Sequence, residues 1–130
     1  MGARVVRSSR LGDVIDALKR TDKSKVEIGV FDTSFYPDGT PVAYVAAIQE
    51  FGYSPKNIPS RSFMRSTLVE RDADIKNTIR QGGAKLSAGE ITPAFFLDVI
   101  GSSMVGAIQQ KIKSIDSPPL AASTLAARHR

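Results

Sequence analysis

The 130-residue sequence has no cysteine, which excludes disulfides, thiolate metal sites and cysteine nucleophiles while leaving the redox compartment open. It has one histidine, His129, expected as a terminal surface residue and not as the poised base that acid–base or nucleophilic catalysis needs. Long apolar runs are missing too. The most apolar window, AFFLDVIGSSMVGAI, is interrupted by Asp98 and falls short of the roughly 20 residues of a membrane-spanning helix. The N-terminal RSSRLGDVIDALKR never becomes the apolar core of a signal peptide, and MGARVV has valine where a myristoylation signal wants Ser or Thr. GGAKLSAGE lacks the G-x-x-x-x-G-K-[ST] spacing of a phosphate cradle. In ERDAD, the alternate residues Glu70, Asp72 and Asp74 do not share one helix face and read as solvated charge. These absences lead to the expectation of a non-enzymatic chain with no catalytic residue, no cofactor and no metal.

What is present suits a folded protein. Apolar residues make up 42% and charged ones 24%, so global disorder is disfavoured, and the length suits one domain with a modest core. The net charge of +5 is uneven. Residues 1–25 carry seven Lys/Arg against three Asp, whereas residues 26–60 carry Lys56 against Glu27, Asp32, Asp38 and Glu50. Such polarity suits head-to-tail assembly as well as it suits a nucleic-acid surface. The basic residues are dispersed without interleaved stacking aromatics, so no specific nucleic acid is expected, and no membrane.

Along the chain, ARVV reads as a short edge strand, and RLGDVIDALKR as a helix with Leu11, Val14, Ile15 and Leu18 on one face. KVEIGVF alternates Val26, Ile28 and Val30 with Glu27 and Gly29, the period of a half-buried strand. DTSFYPDGT is a turn whose Phe35 and Tyr36 serve either as exposed contacts or as a lid on the core. Thr40 and Pro41 open a helix carrying Tyr44, Val45, Ile48 and Phe51. Gly52 closes it, and YSPKNIPS, which contains Pro59, delivers Arg61 and Phe63 to the next helix. Met64, Leu68, Ile75 and Ile79 mark that helix, which Gly82 and Gly83 are expected to break as a hinge. A long core helix follows from Pro93. The fold class expected is α+β, with three to four helices on a small, mostly antiparallel sheet. A single domain is expected over 1–116 and a Pro/Ala-rich tail over 117–130.

Glu50 sits in the last turn of its helix, where a carboxylate opposes the dipole. Something else should hold it. An arginine fork can clamp a carboxylate in two-pronged fashion, so Glu50 is expected to pair with Arg61 or Arg65 as a brace of the loop between two helices. The alternative is a set of unconnected surface charges. Phe51, Gly52, Pro59 and Phe63 are the turn and packing residues of this junction. Arg7, Arg10, Phe35 and Tyr36 are candidate interface residues.

VAAIQEFG followed by IPSRSFMRSTL resembles the tail-completion, neck and minor tail proteins of tailed bacteriophages, the family that includes lambda minor tail protein Z. The likeness rests on Glu50, Phe51 and Gly52, then Pro59, Arg61, Phe63 and Arg65, with Ser62 where the pattern often has proline. VEIGVF and the segment bearing Pro119, Leu120 and Thr124 resemble the family's early strand and late motif. The tail is shortened relative to that pattern. The resemblance implies a virion structural component at the head–tail junction or upper tail. It would form a hexameric or dodecameric ring of its own copies and contact connector, portal, tail-terminator or tube proteins. The alternative is a nucleic-acid-binding or morphogenesis factor not retained in the virion, with RSSRLGDVIDALKR as its carrier.

Overall fold

The structure, a computed structural model, describes residues 10–128. Its helices are α1 Arg10–Asp22, α2 Val42–Phe51, α3 Met64–Glu70, α4 Asp72–Ser87, α5 Pro93–Ser114 and α6 Ala122–Arg128, with a 3-10 turn at Ser54–Lys56. Among the described residues there is no strand and no sheet; two isolated antiparallel bridges, Phe35 to Pro41 and Tyr53 to Ile58, are the only pairings. The expected α+β class is therefore corrected to a helical architecture. ARVV lies outside the described residues.

The correction has a local cause. KVEIGVF has strand periodicity but no strand to pair with, because the hairpin that starts at Phe35 and Pro41 cannot lengthen. The next pair outward is already Ser34 with Val42, whose N–H donates to the Ser34 carbonyl at 2.9 Å, and Val42 is the first residue of α2. Beyond it the would-be partner is helical. A ladder needs extended backbone on both sides.

Two Thr-Pro pairs show how context sets a helix start. Thr92 caps α5: its Oγ1 accepts the Phe95 N–H at 3.2 Å, with Pro93 at the first helical position. Thr40 does not cap α2. Its N–H donates to Asp38 Oδ1 at 2.9 Å and its carbonyl accepts the Tyr36 N–H at 2.8 Å, so the Asp38–Gly39 turn holds it. The N-cap falls to Pro41, with ψ 130 and no side-chain cap.

The chain gathers into two compact units, Met1–Glu27 with Asp72–Ser103, and Ile28–Arg71 with Met104–Arg130. In the first, α1 packs on α4, and Leu86 and Phe96 are buried. The expected hinge at Gly82 and Gly83 is corrected here, since α4 runs through both to Ser87. Gly82 is a contact position: a Cβ there would overlap the Phe96 ring, whereas one at Gly83 would meet nothing. The helix stops further on, where Gly89 takes φ 72. Its N–H donates to the Leu86 carbonyl and the Glu90 N–H to the Lys85 carbonyl, the paired bonds of a Schellman motif. The single helix expected from Met64 past Ile79 is also divided, at Arg71, into α3 and α4.

The second unit holds α2, α3, α6 and the C-terminal part of α5, with Phe63, Met104, Thr67 and Glu50 buried. Lys111 pairs with Glu70 at 2.5 Å, tying α5 to α3. An apolar cavity of about 190 Å³ lies among Ile28, Val30, Phe63, Met64, Val105 and Ile108.

Candidate functional site

The most polar buried point of the second unit is Glu50. It is 4% exposed, in a helix whose other residues are apolar except Gln49. Burying a carboxylate is costly unless its lone pairs are filled. Oε1 accepts from Ser62 Oγ at 2.7 Å, the Arg65 N–H at 3.1 Å and Arg65 Nε at 2.9 Å. Oε2 accepts the N–H groups of Phe63 at 2.8 Å and Met64 at 2.9 Å.

These donors explain why α3 starts where it does. A helix N-terminus leaves its first N–H groups without intrahelical partners and carries partial positive charge. Phe63 occupies the N-cap and supplies no side-chain cap bond. Glu50, reaching across from α2, takes the N–H groups of Met64 and Arg65, and Ser62 Oγ accepts the next, from Ser66, at 3.3 Å. One carboxylate and one hydroxyl thus cap the helix from outside it. Ser62 has a positive role at a position where proline has no donor to offer.

Burial pushes the Glu50 carboxyl upward, but hydrogen bonds from the Met64 N–H, Arg65 and Ser62 outweigh it and lower the pKa to about 2. A base that weak is poorly matched to proton abstraction near neutrality. The arrangement holds backbone in place.

The expected brace is divided between two arginines. Arg65 makes the ion pair with Glu50, and its Nη2 donates to the Glu50 carbonyl at 2.9 Å. Its guanidinium lies 4.7 Å from the ring centroid of Phe51, a cation–π distance. Arg61 turns elsewhere. Its Nε donates to the Pro118 carbonyl at 2.6 Å and its Nη2 to the Pro119 carbonyl, while its backbone N–H donates to the Gln49 carbonyl at 2.7 Å. Arg61 therefore links the junction to the segment before α6.

The loop between is tightly built. Gly52 has φ 78, and a Cβ there would lie 2.8 Å from the Ile58 carbonyl oxygen and 2.9 Å from the Ser60 nitrogen, so both conformation and space call for glycine. Ser60 Oγ donates to the Glu50 carbonyl at 2.6 Å. Pro59, between Ile58 and Ser60, is exposed, and Phe63 is buried. Phe35 and Tyr36 are both exposed. Arg7 and His129 lie outside the described residues, and Arg10 is the first residue of α1. Among the described residues no group of His, Cys, Asp or Glu is arranged to hold a metal, and no helix is long and apolar enough to cross a membrane.

The sequence reading missed the serines and the outer face of α2. Ser60 and Ser62 flank Arg61 in a loop that must return to a helix end, which is a readable signal for hydroxyl caps. On α2, Tyr44, Ala47 and Phe51 are the exposed residues, at helical spacing, while Glu50 is the buried one. That is the reverse of an ordinary amphipathic helix, where the polar face meets water.

No family model matches the chain, and no curated protein or solved structure matches it either.

Proposed function

We propose that the protein is a structural component of a tailed-phage virion, set at the head–tail junction or upper tail, where copies form a ring that joins connector-side to tail-side proteins. The observation that carries this reading is the reversed polarity of α2: a rigidly capped helix pair keeps its carboxylate inside and turns Tyr44, Ala47 and Phe51 to solvent. A helix apolar on all sides is normally covered, and an assembly component acquires that cover from its neighbours. The resemblance of the Glu50–Arg65 stretch to phage tail-completion proteins supplies the particle, and the uneven charge of residues 1–60 suits head-to-tail contacts.

The test is cryo-electron microscopy of particles from a phage that encodes this chain, combined with mass spectrometry of the purified virions. A ring of this protein at the neck or tail end is the expected result. Absence from virions, together with duplex-DNA binding that weakens steeply with salt, would replace the reading with a nucleic-acid-binding or morphogenesis role.

A further inference from the structure

We infer that the aromatic, acidic stretch from Phe31 to Tyr53 is a docking surface for a second copy of this chain, which contacts it through the basic C-terminal end of α1. The inference rests on the ring reading above and names the two surfaces that meet.

The receiving surface belongs to the second unit. Phe31, Phe35, Tyr36, Tyr44, Phe51 and Tyr53 are each at least 36% exposed. Taking about 200 Å² per aromatic side chain, they leave roughly 650 Å² of ring surface in water, close to the about 800 Å² that each partner gives to a stable interface. Phe35, Tyr36, Tyr44, Phe51 and Tyr53 are carried on one connected module. The hairpin bearing Phe35 and Tyr36 is pinned to the start of α2 by the Val42 N–H on the Ser34 carbonyl at 2.9 Å. The turn at Tyr53 is pinned to its end by the Gly52 N–H on the Ile48 carbonyl at 2.7 Å and by the Tyr53–Ile58 bridge. Because Glu50 and Gly52 hold the backbone beneath, this surface is ordered before any partner arrives, which lowers the cost of association.

Charge selects the occupant. Asp32 and Asp38 are exposed within this stretch, and among the described residues neither has a cation within ion-pairing distance. In a chain with 18 Lys/Arg against 13 Asp/Glu, a stretch from Phe31 to Tyr53 with no Lys or Arg at all is a local exception. Lys19 and Arg20, in the last turn of α1, and Lys23 just beyond it are exposed and likewise without an ion-pair partner among the described residues. A cationic helix end bearing long aliphatic stems matches a surface of rings and carboxylates, through cation–π contact and charge pairing together. The two surfaces differ, so the contact is heterologous, the type that closes into rings when the rotation permits.

The absence of cysteine allows a direct test with the full chain. An untagged Asp32→Cys chain is mixed with a tagged Lys23→Cys chain under mild oxidation, and the disulfide-linked species are counted by mass. The expected result is a heterodisulfide in clear excess over both homodisulfides. Sedimentation gives an independent readout: Asp32→Lys with Asp38→Lys should weaken self-association at least roughly tenfold, Lys19→Glu with Arg20→Glu and Lys23→Glu should do the same, and mixing the two variants should restore it. Circular dichroism of each variant confirms that the fold is retained. Statistical disulfide pairing, wild-type association by the charge variants, or a wild type that stays monomeric at every accessible concentration would each overturn the contact. A heterodisulfide from a protein absent from virions would sustain the contact and reject only the phage reading; a ring in virions without the heterodisulfide would do the reverse.

Discussion

The two compact units secure their helices by opposite means. In one, α2 and α3 are joined by a buried carboxylate whose oxygens are filled by backbone and side-chain donors. In the other, α4 and α5 meet where Gly82 leaves room for the Phe96 ring. The first junction is directional and charged, so it fixes the path of the backbone but depends on the protonation and presence of one group. The second is steric, indifferent to pH and sensitive to volume. The polar junction lies under the proposed docking surface, where geometry must be held before a partner binds.

The largest effect should come from removing the charged centre. Glu50→Ala strands the N–H groups of Phe63, Met64 and Arg65 in a mostly buried site, and should cost about 3–5 kcal/mol, read from urea unfolding. Glu50→Gln keeps an acceptor but turns an amide donor toward those same N–H groups, so its loss should fall between alanine and wild type. A cost under about 1 kcal/mol for alanine, the scale of an exposed ion pair, would show that the junction does not depend on this carboxylate.

Acid should break the same junction without mutation. The folded pKa of Glu50, about 2, lies below its ordinary value of 4.5, so folding favours the charged form. The resulting stability is fully present above about pH 4.5 and is lost as pH falls through about 2, with an amplitude of about 3 kcal/mol. Other carboxylates titrate in this range as well, so the measurement is the difference in unfolding free energy between wild type and Glu50→Gln. That difference should narrow steadily below about pH 4.5. A constant difference from pH 6 to pH 2 would refute the linkage.

Volume should break the other junction. At Gly82, an added methyl overlaps the Phe96 ring, and overpacking of about 1–3 kcal/mol should exceed the about 0.5–1 kcal/mol that alanine contributes inside a helix. At Gly83, a methyl meets nothing within 4 Å, and only the helical gain remains. Gly82→Ala should therefore lower the melting temperature and Gly83→Ala raise it, with neither shift depending on pH between 5 and 8. Equal effects at the two positions would point to a backbone hinge in place of a packed contact.

This contrast also explains what could be read from the sequence. A carboxylate at the end of the apolar run VAYVAAIQEF demands a partner, so a brace at Glu50 by one of two arginines, Arg61 or Arg65, was legible from the residues alone. Two adjacent glycines read as a helix break because glycine weakens helices; that Gly82 faces an aromatic ring 14 positions along the chain is tertiary information. The strand expected at Val26, Ile28 and Val30 failed for a related reason. Alternation reports which residues share a face, not whether a second strand exists, and Pro41 had already turned the hairpin into a helix. Both Thr-Pro pairs looked alike in sequence, yet only Thr92 caps a helix, because Asp38 and Tyr36 hold Thr40 in a turn.

The smallest effect expected separates the two arginines. The sequence leaves open which of them meets Glu50; in the structure Arg65 does so and Arg61 binds the carbonyls of Pro118 and Pro119. Arg61 is half-buried and its acceptors lie near solvent, so Arg61→Ala should change global stability by about 1 kcal/mol or less. Its local signature should be distinct. Amide exchange should quicken through residues 120–128, of which 121–127 are exposed, while the turn at 53–58 keeps its protection through the Tyr53–Ile58 bridge. Arg65→Ala should give the reverse pattern, loosening the amides of residues 61–66 and leaving α6 unchanged. If Arg61→Ala instead loosens 53–58 and spares 120–128, Arg61 braces the loop and the tether to the C-terminal segment contributes nothing.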